Sequence, residues 1–135
     1  MRSSALSKGL SVEISPGELI DKITILEIKR ERMTDSTKLK NVEHEWMTLI
    51  AARDGAVKPS AELDRLAAEL KQVNERLWEI EDDIRDCERR KDFGRKFVEL
   101  ARGVYMNNDR RSEIKRAINQ LLGSRLTEEK SYAAY

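Results

Sequence analysis

The alternation of apolar and polar positions predicts helices along most of the chain. In "SPGELIDKITILEIKRERM", Ser15 to Met33, Ser15 is placed to cap and Pro16 suits the first helical position. Glu18 stands three residues after Ser15, as a capping box requires. The β-branched run "ITILEI" also fits a short strand, but the cap together with Glu27, Lys29 and Arg30 decides for a helix over about 16–33. Leu19, Ile23, Leu26 and Met33 share one face at 100° per residue, while Ile20, Ile25 and Ile28 fall on the others. A helix apolar on nearly every side is one that its neighbours bury.

"TDS" at 34–36 is a tight turn that supplies the next cap, and the second helix, about 36–53, spaces Leu39, Val42, Trp46 and Leu49 by three and four. "DGAVKP" is a loop with Gly55 and Pro59 as breakers, after which Ser60 caps a third helix over about 60–90. Its seam, Leu63, Leu66, Leu70, Val73, Leu77, Ile80, Ile84 and Cys87, is the strongest pattern in the chain. The fourth helix, about 92–122, ends before Gly123 and carries the register Phe97, Leu100, Val104, Asn107, Arg111, Ile114, Ile118 and Leu121. "NND" at 107–109 is a candidate break, but the unbroken register favours a continuous or merely kinked helix.

Short loops make consecutive helices antiparallel neighbours, so the expected fold is all-α, an antiparallel up-down-up-down bundle of two short and two long helices. It forms one domain over 15–123, with an N-terminal arm at 1–14, whose "LSVEI" reads as extended, and a C-terminal tail at 124–135. The first pair is about 27 Å long and the second about 46 Å, so the tip of the long hairpin, roughly 80–104, projects. Ile80, Ile84 and Cys87 face Phe97, Leu100 and Val104 there, and two helices alone leave an apolar strip uncovered. A homodimer through residues 78–105, with Ile25 and Ile28 lining the same interface, would cover it. Tyr132 and Tyr135 either lie on the bundle base beside the first helix, over Ile20 or Ile28, or belong to a frayed end.

Composition narrows the function classes. Of 135 residues 38% are charged, and only two prolines and six glycines interrupt them, which suits long amphipathic helices. Residues 1–84 carry 13 Lys/Arg against 17 Asp/Glu, and residues 85–127 carry 12 against 6. Acidic and basic helices facing each other explain this more cheaply than a nucleic-acid face, because few aromatics interleave the basic residues. The single cysteine, Cys87, excludes an intrachain disulfide, and no Cys/His metal spacing exists. There is no apolar run of spanning length and no secretory apolar block, which leaves the cytoplasm as the expected compartment.

Two clusters are candidates for chemistry. Pairing residue 60 with 122 sets Asn74 level with Asn107, and pairing 16 with 122 sets Glu27 near Arg111. The expected result is a polar layer of Glu27, Asn74, Asn107 and Arg111 inside an apolar bundle. Such a layer either fixes register or, with Arg110 or Lys115, grips a carboxylate or phosphate. The second cluster is "EIEDDIR" at 79–85. Its Glu79 and Asp82, joined by Glu18 and Asp21, could hold Mg²⁺ in an arrangement that loosely resembles the all-helical nucleotide pyrophosphohydrolases. Solvated charges explain it more simply, and no cofactor is expected otherwise. His44-Glu45 has no second histidine at the zincin spacing, and Gly55, Gly94, Gly103 and Gly123 stand apart rather than in a phosphate loop. The repeated arginines also resemble chorismate mutases, small helical proteins lined with Arg and Lys, which stay a runner-up because the residues do not place their full set of basic and Gln ligands.

The blocks "SPGELIDKITILEIK", "NERLWEIEDDIR", "FVELARGVYMNNDRRSEIKRAIN" and "EEKSYAAY" resemble an uncharacterised family of small bacterial and phage proteins, a domain of unknown function, over about residues 11–135. The resemblance implies an all-helical cytoplasmic protein, with members sometimes encoded near glycosyltransferases and surface-polysaccharide functions. It supplies no catalytic residues. The leading expectation is a non-catalytic assembly or regulatory module working through protein contacts. The alternative is a small helical enzyme or a binder of an anionic metabolite, such as a nucleotide or sugar nucleotide, at Arg111 and its neighbours.

Overall fold

Four helices begin and end at chemically legible points in the computed structural model, which describes residues 9–127 and 129–135. They are α1 (Pro16–Arg32), α2 (Ser36–Ala56), α3 (Ala61–Arg89) and α4 (Arg95–Leu121). The Ser15 hydroxyl accepts from the Glu18 amide, Asp35 from Lys38 and Ser60 from Leu63, each meeting one of the unpaired amides of a first turn. Such caps stabilise by about 1 kcal/mol each. α4 lacks a side-chain cap at Gly94. At its other end Gly123 is left-handed, and the amides of Gly123 and Ser124 donate to the Gln120 and Asn119 carbonyls. That is a Schellman closure.

The fold is all-α, but its helices do not form a square. α1 packs against α2, α3 and α4, whereas α2 approaches only α1 among the described helices. The core is therefore the three-helix interface of α1, α3 and α4, with α2 laid along the outer flank of α1. This arrangement explains why α1 is apolar all round: with three helices about it, Leu19, Ile20, Ile23, Leu26 and Ile28 are all buried. Leu63, Leu66 and Leu70 of α3 and Ile114 and Ile118 of α4 complete the cluster, and Trp46, Leu49 and Ile50 of α2 seal its edge. Burial of each large side chain contributes about 1.5–3 kcal/mol. The Arg30 guanidinium lies 3.8 Å over the Trp46 ring, holding α2 to α1 by a cation–π contact.

Several expected boundaries move. α2 runs through Gly55 to Ala56, because a glycine in a last turn weakens a helix without forbidding it. α4 begins at Arg95 rather than 92 and continues unbroken through Asn107–Asp109. Leu121, expected on its inner seam, is exposed, and Leu122 packs on the core instead. The segment Leu10–Ile14 has no regular structure and is exposed, with Glu13 paired to Arg125. Residues 1–8 of the expected arm lie outside the described residues. Beyond the end of α1, where Arg32 approaches Glu75 and Glu79, α3 continues for ten residues, or about 15 Å. Only α4 accompanies it there among the described helices.

Candidate functional site

The site begins with a glycine. At Gly17 an added Cβ would lie 2.5 Å from the Lys115 carbonyl oxygen and 2.8 Å from the Asn119 side-chain oxygen. Only glycine lets the first turn of α1 touch α4 so closely. The Gly17 amide, one of the first-turn donors, gives its hydrogen bond to Asn119 Oδ1 at 2.7 Å. This contact sets the register of α1 against α4, and the polar pairs follow from it.

One turn on, Asp21 is 1% exposed and faces inward. Arg111 grips it with two nitrogens, Nε to Oδ1 at 2.9 Å and Nη2 to Oδ2. The Asn74 amide donates to the same Oδ1 at 2.9 Å and to the Thr24 hydroxyl at 3.0 Å, while that hydroxyl donates to the Asp21 carbonyl at 2.8 Å. Three helices thus meet in one hydrogen-bonded layer in which a buried carboxylate is fully matched. Beside it Lys115, also buried, places Nζ 2.7 Å from Glu18 Oε2. Glu18 and Asp21 therefore anchor two cations of α4 from behind.

Of the four expected members of the layer two are in it, Asn74 and Arg111, and they converge on Asp21. Asn74 and Arg111 meet as the alignment of α3 and α4 predicts, but the carboxylate between them is Asp21 and not Glu27. The Gly17 contact sits α1 deeper on α4 than equal helix ends would place it, and that shift moves Glu27 past Arg111. Glu27 instead lies in the field of Lys71, whose pKa is raised chiefly by its hydrogen bond to Glu31. Asn107 is not bonded into the layer; its amide returns to the Gly103 carbonyl at 2.8 Å within α4. Arg110 points away and pairs with Glu69 and Glu113.

The proposed carboxylate quartet is not assembled. Glu18 and Asp21 are turned toward α4, and Glu79 lies near Arg32 at 3.9 Å at the far end of α1. Asp82 sits with Glu81 and Arg85 on the rim of a notch floored by Ile25, Leu77 and Trp78. Among the described residues no group of three His, Cys, Asp or Glu side chains is arranged to hold a metal ion. Cys87 is buried in the hairpin, and His44 is exposed on α2.

In front of Arg111 and Lys115 opens a cleft of about 620 Å³, and the C-terminal tail forms its far wall. The tail folds back over α4, not over the base beside α1 as one reading of Tyr132 and Tyr135 had it. Lys130 Nζ lies 2.8 Å from Asp109 Oδ1, and the Tyr135 ring rests on Tyr105 with centroids 5.0 Å apart. Lys130 and then Tyr135, both hydrogen-bonded to Asp109, hold its carboxyl below the usual range. The same bond pushes the Tyr135 hydroxyl up. The sequence signal for this wall was the triplet of tyrosines, all of which border the cleft. The signal for Gly17 was a glycine placed inside a well-capped first turn, where helices gain nothing from it.

The cleft can receive an anion and lay a flat surface against a ring; it is walled by cations that carboxylates hold in place. No helix among the described residues is long and apolar enough to cross a membrane. Neither a curated protein nor a solved structure matches this chain. It belongs to DUF6165, a family of unknown function, whose pattern covers residues 10–135.

Proposed function

We propose that this member of an uncharacterised family is a small cytoplasmic binding module that takes an anionic metabolite into the cleft between α4 and the C-terminal tail. The observation that carries the reading is the convergence of Arg111, Lys115 and Lys130 on one cleft of about 620 Å³. That volume falls in the usual range for small-molecule sites. Arg111 and Lys115 are held by Asp21 and Glu18, so their charges are positioned before any ligand arrives, which reduces the ordering cost of binding. The test is a thermal-shift series with inorganic phosphate, citrate and nucleoside phosphates against sodium chloride of equal ionic strength. Binding predicts a rise in melting temperature beyond the salt control that shrinks in Lys130→Ala. Equal shifts in all salts would reject the reading.

A second reading rests on a separate observation. Past α1 the α3–α4 hairpin has no third helix beside it among the described residues, and Phe93 and Val98 are half exposed, at 50% and 52%. A homodimer through residues 78–105, or a protein partner on the same strip, would cover them and make the chain an assembly or regulatory module. Sedimentation of wild type and Ile84→Glu at micromolar concentration tests it. A wild-type species near 15.6 kDa rejects the dimer, and a dimer untouched by Ile84→Glu rejects this interface.

A further inference from the structure

We infer that the ligand of the α4–tail cleft is a ring-bearing phosphate of the nucleotide class, its ring against the tyrosines and its phosphate beside Lys115 and Lys130. This rests on reading the cleft as an anion site and adds the ring. Its first support is the placing of the aromatics. The chain has three tyrosines, and Tyr105, Tyr132 and Tyr135 all border this one cleft. Two of them come from the tail and remain 85% and 76% exposed although the tail is docked. Tyrosines that served only to fasten the tail would bury their rings. Lys130 stands 5.4 Å from the centre of the Tyr132 ring and Tyr135 leans on Tyr105, so each ring keeps a second face open beside cations, as stacking platforms in nucleotide-binding grooves do. Tyr105 and Tyr135 meet at 60°, so a flat ring has a tilted pair to rest against rather than a closed stack.

The polar groups of the wall give the second support. Arg111, Lys115 and Lys130 stand on it together. Asn108 and Ser112 on the same wall offer both donors and acceptors to the polar edge of a base or to a ribose. Because the tail supplies Lys130 and two rings, binding should also hold the tail down.

The experiment is titration calorimetry of the full chain with AMP, ribose 5-phosphate and adenosine, repeated on Tyr105→Leu and Tyr135→Leu. Removing one stacking ring typically weakens binding about tenfold or more. The expected order is AMP first, with ribose 5-phosphate and adenosine each at least about tenfold weaker and both leucine variants weakened toward AMP but not toward ribose 5-phosphate. Ribose 5-phosphate binding as well as AMP, or leucine variants that bind AMP normally, would overturn the ring while leaving the anion site standing. If none of the phosphates binds, the anion site falls, and this inference with it. Should Tyr105→Leu fold poorly, Tyr135→Leu on the exposed tail decides alone.

Discussion

The two halves of the α3–α4 hairpin have similar seams and different fates. Near its root Leu63, Leu66 and Leu70 face Ile114 and Ile118, and α1 lies across both helices, so all five are buried. Near its tip the same three-four spacing carries Ile80, Ile84 and Cys87 against Phe97 and Leu100. There Ile80 and Cys87 are buried, while Ile84, Phe97 and Leu100 remain half-buried. A seam of one residue type per turn buries a strip; it takes a third helix to bury a face. The polar residues divide in the same way. At the root Asp21 is matched by Arg111 and Asn74, and at the tip the charges pair along their own helix, Arg85 with Glu81 and Arg95 with Glu99.

The largest effect should therefore come from breaking the root at its layer. Asp21→Ala leaves Arg111 facing a cavity, and Arg111→Met leaves Asp21 as an unpaired buried carboxylate. Each should cost about 3–5 kcal/mol in denaturant unfolding, as for a broken buried pair. The double mutant should cost less than the sum, with a coupling of about 0.5–3 kcal/mol. Glu81→Ala at the tip should cost under about 1 kcal/mol, as an exposed pair does. Similar losses at both places would remove the distinction between the two regions.

This layer also shows what the sequence could and could not reveal. Helix periods, caps and loop lengths are local properties, so the four helices, their order and the level of Asn74 with Arg111 followed from the residues. Which carboxylate of α1 meets Arg111 depends on how far α1 slides along α4, and a slide of six residues exchanges Glu27 for Asp21. Equal helix ends were the only guide available, and the close approach at Gly17 overrode them. The position of α2 was hidden for a similar reason. Its inner positions Leu39, Val42, Trp46 and Leu49 fit one neighbour as well as two. The cleft was the least legible part: the tyrosines marked the tail, but without a helical period nothing in it says on which surface it folds.

Gly17→Ala is the next test in size. The added methyl meets a backbone carbonyl of α4 that cannot move without shifting the helix, so the cost should be about 1–3 kcal/mol, typical of an overpacked contact. Gly103→Ala probes the same thing further along the hairpin. Its Cβ would stand 3.0 Å from the end of the Ile80 side chain, which can turn aside, so the loss should be smaller. Chemical denaturation of the two variants side by side reads this directly. A Gly17→Ala protein as stable as wild type would mean that α1 is free to slide, and the register of the whole layer would be in doubt.

At the tip itself a substitution should stabilise. Lys91 closes α3 in the left-handed region at φ 54°, where a side chain is strained, and the Asp92 amide donates back to the Cys87 carbonyl as in the glycine-closed end of α4. Lys91→Gly relieves the strain but loosens the unfolded chain and removes a surface pair with Glu88. The expected gain is about 0.5 kcal/mol, within the range for a residue leaving this conformation and well below any change at the root. A loss in thermal unfolding would mean that this turn is held by contacts the two-helix tip does not otherwise offer.

The smallest effect on global stability belongs to the tail, whose Tyr132 and Tyr135 rings stay largely exposed. Its docking should nevertheless follow pH, with the sign set by two groups. The Asp109 carboxyl is held low by Lys130 and then Tyr135, so its contribution is present above the ordinary carboxylate pKa of about 4 and is lost as pH falls through the lowered value. The Tyr135 hydroxyl is pushed up by Asp109, so its contribution is present below about 10 and is lost as pH rises through the raised value. Docking should hold across the neutral range and fail at both extremes. The ring signals of Tyr105 and Tyr135 followed by NMR from acid to alkali would show it, as matched shifts that vanish in Asp109→Asn at low pH while the melting temperature at neutral pH stays near wild type. Rings that titrate independently of Asp109 would mean that the tail is held by its other contacts, Tyr105 and the Arg116–Glu129 pair among them, and the far wall of the cleft would then owe nothing to this ion pair.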